Sequence, residues 1–190
     1  MREPSMFRLV EPDAESVRVR VADGTERRLI ENLIEFYIYE FMQLEPPFPT
    51  RFDDRDCYPA FSDLDRYWRI EGFRPLLIRA EERLAGFALI NTHSSRGEKV
   101  EFNMAEFFIA REHRGRGVAT DAFRRIMAQY AGCWEIAVAE HNMAAKMFWS
   151  RTLKATLNIS HLVRHEGDGE RWHGPIWSFR SEHQAAPIFH

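Results

Sequence analysis

The residues best placed to do chemistry are Arg111-Glu112-His113-Arg114-Gly115-Arg116-Gly117, a basic stretch with two glycines set between two apolar stretches. Ahead of it, Phe107-Phe108-Ile109-Ala110 is too short for a helix and bulky enough for a buried strand. Behind it, Val118, Ala119, Ala122, Phe123, Ile126, Met127 and Tyr130 recur at helical spacing and make the apolar stripe of an amphipathic helix. A strand, a cationic glycine loop and a helix start together present backbone N–H groups and the positive end of a helix dipole to an anion. The chemistry expected here is phosphate binding. A P-loop is excluded, because no Lys-Ser or Lys-Thr follows the glycines. A dinucleotide fingerprint fails too, since Thr120 stands where its third glycine belongs.

The elements that must hold this loop can be read in chain order. Residues 1–16 are polar and carry two prolines. Val17, Val19 and Val21 alternate with Arg18 and Arg20, which predicts a half-buried strand. Asp23-Gly24-Thr25 turns the chain, with Thr25 expected as N-cap. The spacing of Leu29, Ile30, Leu33, Ile34, Tyr37, Ile38 and Phe41 predicts a helix over 26–42, ended by Pro46, Pro47 and Pro49. Residues 44–72 mix aromatics with Asp53, Asp54, Asp56, Asp63 and Asp65, and a short helix is expected over 62–69. That segment reads either as a surface excursion or as a recognition loop for a cation. Strands are predicted over 75–81 and 84–93, joined as a hairpin through Glu81-Glu82-Arg83, and again over 100–110. Gly132 is expected to stop the central helix. The strand 133–139 must then run parallel to the one before the helix, because a helical crossover connects them. A helix over 142–155 and strands over 155–164 and 174–179 complete the chain, and the order is β-α-α-β-β-β-α-β-α-β-β.

Composition narrows the function classes. At 190 residues one domain is expected, over 1–190, with a core of about 17–180 between two tails. The net charge of −3 with both signs mixed gives no footprint for nucleic acid. No leader-like apolar region opens the sequence, and no run of ~18 apolar residues occurs, so neither secretion nor membrane spanning is expected. Cys57 and Cys133 show neither metal nor disulfide spacing, which suits the cytoplasm. The eight histidines are scattered, with His161 and His165 in a predicted strand, and no metal site is expected.

Arg114-Gly115-Arg116-Gly117-Val118-Ala119 reads R-x-x-G-x-A and closely resembles the acetyl-CoA pyrophosphate loop of the GNAT N-acetyltransferase family. Asn142-Met143-Ala144-Ala145, after a strand, matches a second family element, N-x-x-A. The phrases EFFIAREHRGRGVA and CWEIAVAEHNMAAKMFW resemble a branch of predicted acetyltransferases. The resemblance spans roughly 17–180 and implies the GNAT fold, an α/β (α+β) architecture. Its central sheet is mixed and mostly antiparallel, of about seven strands, flanked by helices on both faces. One parallel pair splays apart, and the cofactor's pantetheine arm slots between its strands. These strands would be Phe107–Ala110 and Trp134–Ala139, and the implied cofactor is acetyl-CoA (coenzyme A). Its implied contacts are Phe108, Ile109 and Ala110 on the strand, then Arg111, Arg114, Gly115, Arg116, Gly117, Val118, Ala119 and Thr120 around the loop, with Asn142 and Trp149 beyond. The family often has an acidic tyrosine seven residues after this asparagine. Here the position is Trp149, and indole N–H cannot exchange a proton near neutral pH.

The chemistry then asks for a neutral amine. An alkylammonium near pKa ~10 must lose a proton, which a carboxylate or histidine can receive. Glu106, in an otherwise apolar strand, is the preferred base, with a structural ion pair to an arginine as the other reading. Glu140 and His141 follow, at the mouth of the splay, where His141 also reads as a helix-start residue. A backbone N–H around Phe108-Ile109 would meet negative charge on the acyl oxygen. The expected partner is a small-molecule or peptide amine acceptor, with no nucleic acid or membrane, and with a homodimer as an assembly open to the chain. Two functions remain: an N-acetyltransferase acting by direct attack in a ternary complex, and a non-catalytic acyl-CoA-binding module, which Trp149 would favour.

Overall fold

The computed structural model describes residues 17–43 and 64–183. Among them the strands are β1 (Val17–Val21), β2 (Arg74–Ala80), β3 (Arg83–Asn91), β4 (Phe102–Ile109), β5 (Gly132–Ala137), β6 (Ile159–Glu166) and β7 (Pro175–Ser181). The helices are α1 (Arg27–Met42), the single turn α2 (Arg66–Arg69), α3 (Val118–Gln129) and α4 (Met143–Ala155). The element order follows the sequence prediction throughout. All seven strands form one sheet in the order β1-β2-β3-β4-β5-β7-β6. Every pairing is antiparallel except β4 with β5. The prolines at 46–49 and the acidic residues Asp53, Asp54, Asp56 and Asp63 lie outside the described residues.

Two local expectations are corrected. The capping side chain ahead of α1 is Asp23, not Thr25, and it caps the 3-10 turn Gly24–Glu26 that leads into the helix. Its side chain accepts from the Thr25 and Glu26 backbone N–H groups, and Glu26 reaches back to the Asp23 N–H, closing a capping box. A carboxylate two and three residues ahead of those N–H groups has the reach that a hydroxyl within the turn lacks. Gly132 does not end α3 either. The helix stops at Gln129, and Gly132 opens β5 with φ +151°, where a side chain would sit 2.9 Å from the Glu101 carboxylate.

The apolar patterns sort the molecule into two cores, one on each face of the sheet. On one face Ile30, Leu33, Ile34 and Ile38 of α1 cover Leu77, Phe87, Leu89 and Phe108. On the other, the α3 stripe with Trp149 and Leu153 of α4 covers Leu76, Ile78, Ala88, Ile90, Met104 and Ile109. The hairpin between β2 and β3 is tight, because Glu81 and Glu82 both take positive φ (48° and 64°), the backbone that a two-residue turn between twisted strands requires.

β4 carries the irregularity that matters most. Leu89 lies opposite Glu106 and Ile90 opposite Met104, so Ala105 is an extra residue and bulges the strand. Met104 before the bulge and Phe107 and Ile109 after it face the α3–α4 side. Glu106 and Phe108 are thereby turned toward α1. Without the bulge Glu106 would follow Met104 into the larger apolar core. No described helix is long and apolar enough to cross a membrane.

Candidate active site

Gly115 and Gly117 shape the loop from β4 into α3. Both have positive φ, 76° and 83°, which glycine adopts without steric cost. Among the described residues a Cβ built on either would meet no atom within 4 Å, which leaves the space above the loop open to them. Gly117 offers no side-chain cap to α3, and the first helical bond is from the Asp121 N–H to the Gly117 carbonyl. The N–H groups of the opening turn, Val118 to Thr120, therefore have no acceptor within the helix. Val118 itself is rooted in the core. The loop is anchored by Arg114, whose Nε donates to the Ile109 carbonyl at 2.7 Å while Nη2 pairs with Glu40 at 2.7 Å and the guanidinium lies over Phe108. That commits Arg114 to holding the loop against α1. Arg111 and Arg116 are exposed at the loop's surface.

Beside the loop the sheet opens. β4 and β5 pair only at Phe102 with Trp134 and Asn103 with Glu135, then separate. Among the described residues the backbone groups facing the gap have no strand partner across it, which leaves two strand edges able to pair with an extended ligand. The Ala110 N–H bonds the Ala85 carbonyl of β3. By the alternation of an antiparallel ladder, Phe108 also points its N–H at β3, so Ile109 is the member of this pair that turns its N–H toward the gap. A cavity of about 260 Å³ fills the opening, lined by Tyr37, Glu106, Phe107, Val138, Trp149 and Trp172 among others. A second, of about 450 Å³, runs from there to Gly115, Gly117 and Thr120 along α4. Tyr37, Phe41, Phe107, Asn142, Ala145 and Trp149 line both, so the two cavities are one continuous groove. An open cradle of helix-start amides, continuous with a gap between unpaired strand edges, fits a ligand with phosphates at one end and an amide-bearing arm at the other.

Glu106 lies in the floor of the opening. Its Oε2 accepts from the Tyr37 hydroxyl at 2.5 Å, and no arginine pairs with it among the described residues. Burial pushes its carboxyl up to about 7, against which the Tyr37 bond pulls downward. The Tyr37 phenol is held well above its ordinary range, by burial first and the facing carboxylate second. On the same side of the sheet Asn103 donates to Asn91 at 2.9 Å and Asn91 donates to the Tyr67 hydroxyl at 3.2 Å. Burial pushes the Tyr67 phenol up to about 12.

The remaining predicted residues divide. Asn142 lines the groove, and its side chain caps α4 by accepting from the Ala145 N–H at 3.0 Å. Trp149 is buried against Phe107, Phe123 and Phe148 and forms a wall of the groove. Ala119 and Thr120 line the loop end, while Phe108 lends mainly backbone, its ring being packed under α1. Glu140 and His141 are exposed and line neither cavity. Sequence reasoning missed Tyr37, which it assigned to an apolar helix stripe, and the Asn103–Asn91–Tyr67 chain. A tyrosine in such a stripe signals a hydroxyl needing a partner, but not which partner. Among the described residues no three His, Cys, Asp or Glu side chains gather as a metal site.

A seven-stranded sheet opened at its one parallel pair, with an unfilled helix start beside the opening, is an architecture of acyltransferases. The Acetyltransferase (GNAT) family profile matches residues 38–153, and the chain belongs to that family. It is an N-acetyltransferase of the GNAT type, and its acyl donor is acetyl-CoA. Solved structures share the fold at low identity. An acetyltransferase from Thermus thermophilus superposes with a TM-score of 0.63 at 15% identity, covering 89% of this chain and 99% of that one. The PaiA N-acetyltransferase from Thermoplasma acidophilum, solved in complex with coenzyme A, gives 0.56 at 11%, covering 88% and 99%. A SpeG spermidine N-acetyltransferase variant from Vibrio cholerae gives 0.51 at 14%, covering 86% and 92%. No curated protein sequence matches.

Proposed function

We propose that this protein moves the acetyl group of acetyl-CoA to a primary amine by direct attack in a ternary complex, with Glu106 as general base. The observation that carries the reading is the position of Glu106. Among the described residues it is the one acidic side chain lining the gap between β4 and β5, and its carboxyl is tuned to about 7. Acetyl-CoA supplies an activated acyl carbon and a thiolate that leaves without needing a strong acid. The N–H groups at the start of α3 would hold its phosphates, with Gly115 and Gly117 leaving their approach open. The Ile109 N–H would donate to the acyl oxygen as negative charge grows there. Glu106 would take the amine's proton, and a base near 7 is matched to that task at neutral pH. Trp149 forms a wall and holds no exchangeable acid, so no acid is assigned to that position. A family neighbour in structure is named for spermidine acetylation, which makes a polyamine one member of the acceptor class to test.

The test is release of free thiol from acetyl-CoA in the presence of polyamines, arylalkylamines, an aminoglycoside and peptides with free N-termini or lysines. Turnover with at least one amine, lowered about 10²-fold in kcat by Glu106→Gln, is expected. Turnover untouched by Glu106→Gln but abolished by Glu140→Gln or His141→Ala would reassign the base. Binding of coenzyme A without thiol release in any mixture would return the protein to a non-catalytic module.

A further inference from the structure

We propose that Tyr37 is the positioning residue of the base: its hydroxyl, donating to one oxygen of Glu106, leaves the other oxygen for the amine. The proposal rests on the reading of Glu106 as the base. Three observations carry it. The first is the bond itself, 2.5 Å from Tyr37 Oη to Glu106 Oε2 across 69 positions of sequence, joining α1 to β4. The second is rigidity on both sides. The Tyr37 ring is boxed in by Phe87 and Phe108, with centroids 5.9 and 5.8 Å away, and both of those rings are buried. Glu106 is fixed by a strand whose bulge at Ala105 aims it at α1. A hydroxyl on a ring so confined can hold a carboxylate in one orientation. The third is location, because Tyr37 lines both parts of the groove and so stands where the phosphate-side channel meets the floor of the opening.

The surroundings leave this bond in charge of the carboxyl. Of titratable side chains among the described residues, the cavity over Glu106 is lined by Tyr37 and Glu106 alone. From α2, Tyr67 acts on Glu106 only through space, its hydroxyl being engaged by Asn91. Neighbours across β3 and β4 on that face are Leu89, Phe87 and Phe108, which carry no charge. Tyr37 keeps its own proton through the reaction, since the facing carboxylate and burial both oppose its ionisation. Glu106 takes the proton that frees the amine and passes it to water; a second N–H proton is lost as the C–N bond forms and the C–S bond breaks, and the departing thiolate takes up one proton from water, so that Tyr37 gives up none.

Tyr37→Phe keeps the ring and deletes one donor. In protein carrying ¹³C-labelled glutamate side chains, the Glu106 carboxyl signal is assigned by its loss in Glu106→Gln and then titrated without any ligand. Loss of a charge-assisted hydrogen bond should shift the Glu106 ionisation constant about tenfold toward the protonated form. In thiol-release assays with the fastest amine of the panel, the acidic limb of kcat should move up by about one pH unit, with activity recovering at alkaline pH. In a Glu106→Gln background, Tyr37→Phe should add almost nothing to the loss of kcat, because the pair acts as one unit. A Glu106 titration unchanged by Tyr37→Phe, in protein that melts cooperatively, overturns the proposal. Equal kcat losses from Tyr37→Phe in both backgrounds also overturn it, and reduce Tyr37 to packing. Absence of turnover with every amine would instead strike the base reading, while the titration would still decide whether Tyr37 governs this carboxyl.

Discussion

Replacing Glu106 by glutamine should change how stability depends on pH, and the sign follows from the direction of its displaced pKa. The carboxyl is raised from 4.5 to about 7 in the folded protein, mainly by burial. Between those values the folded chain binds more protons than the unfolded one, so unfolding free energy falls as pH rises. The stabilisation is fully present below 4.5 and is lost as pH passes through about 7. The interval corresponds to roughly 3 kcal/mol for a fully enclosed group, and to about 1–2 kcal/mol here because the cavity opens to water. The glutamine of the variant never ionises, and its amide oxygen can still accept from Tyr37. Urea unfolding of both proteins at about pH 5, 6, 7 and 8, spanning the displaced interval, measures the effect directly. The wild type should lose stability across this range relative to Glu106→Gln, and the variant should be the more stable of the two at the alkaline end. Parallel curves would refute the reasoning, since they would mean that Glu106 titrates alike in the folded and unfolded chain.

Two further outcomes follow from the groove. Coenzyme A should raise the unfolding free energy by about 2.7 kcal/mol at a hundredfold excess over Kd, and Gly117→Glu should abolish that thermal shift by setting bulk and negative charge in the open space above the loop; a shift that survives would remove the loop from the phosphate site. Trp149→Ala should cost about 3–5 kcal/mol in denaturant unfolding, because the indole is packed against Phe107, Phe123 and Phe148, and a cost under about 1 kcal/mol would show that the wall is held without it.

Much of this architecture could be read along the chain, because local spacing carries it. The α3 stripe, the glycine pair ahead of it and the alternating valines of β1 each declare their element within a few residues. The crossovers then force β4 and β5 to run parallel. The loop itself was legible, as glycines set in a basic turn between a strand and a helix. Where local reading failed, a competing local geometry won. Asp23 out-reached Thr25 as a cap, and Gly132 was needed by β5 against Glu101 rather than by the end of α3.

The sequence alone determined the sheet-and-helix order and the candidacies of the glycine loop for phosphate and of Glu106 for the base, since periodicity, turn chemistry and a lone acid in an apolar strand are properties of neighbours in the chain. Only the tertiary structure decided what Glu106 faces. One extra residue at Ala105 reverses the face of everything after it, and a bulge costs a strand no change of composition that a pattern could reveal. It likewise decided that Arg114 anchors the loop to Glu40, that Glu140 and His141 stay on the surface, and that Tyr37 meets Glu106 from 69 positions away. Those contacts depend on which helix lies over which face of the sheet, and that is fixed by the packing of the whole core rather than by any stretch of it.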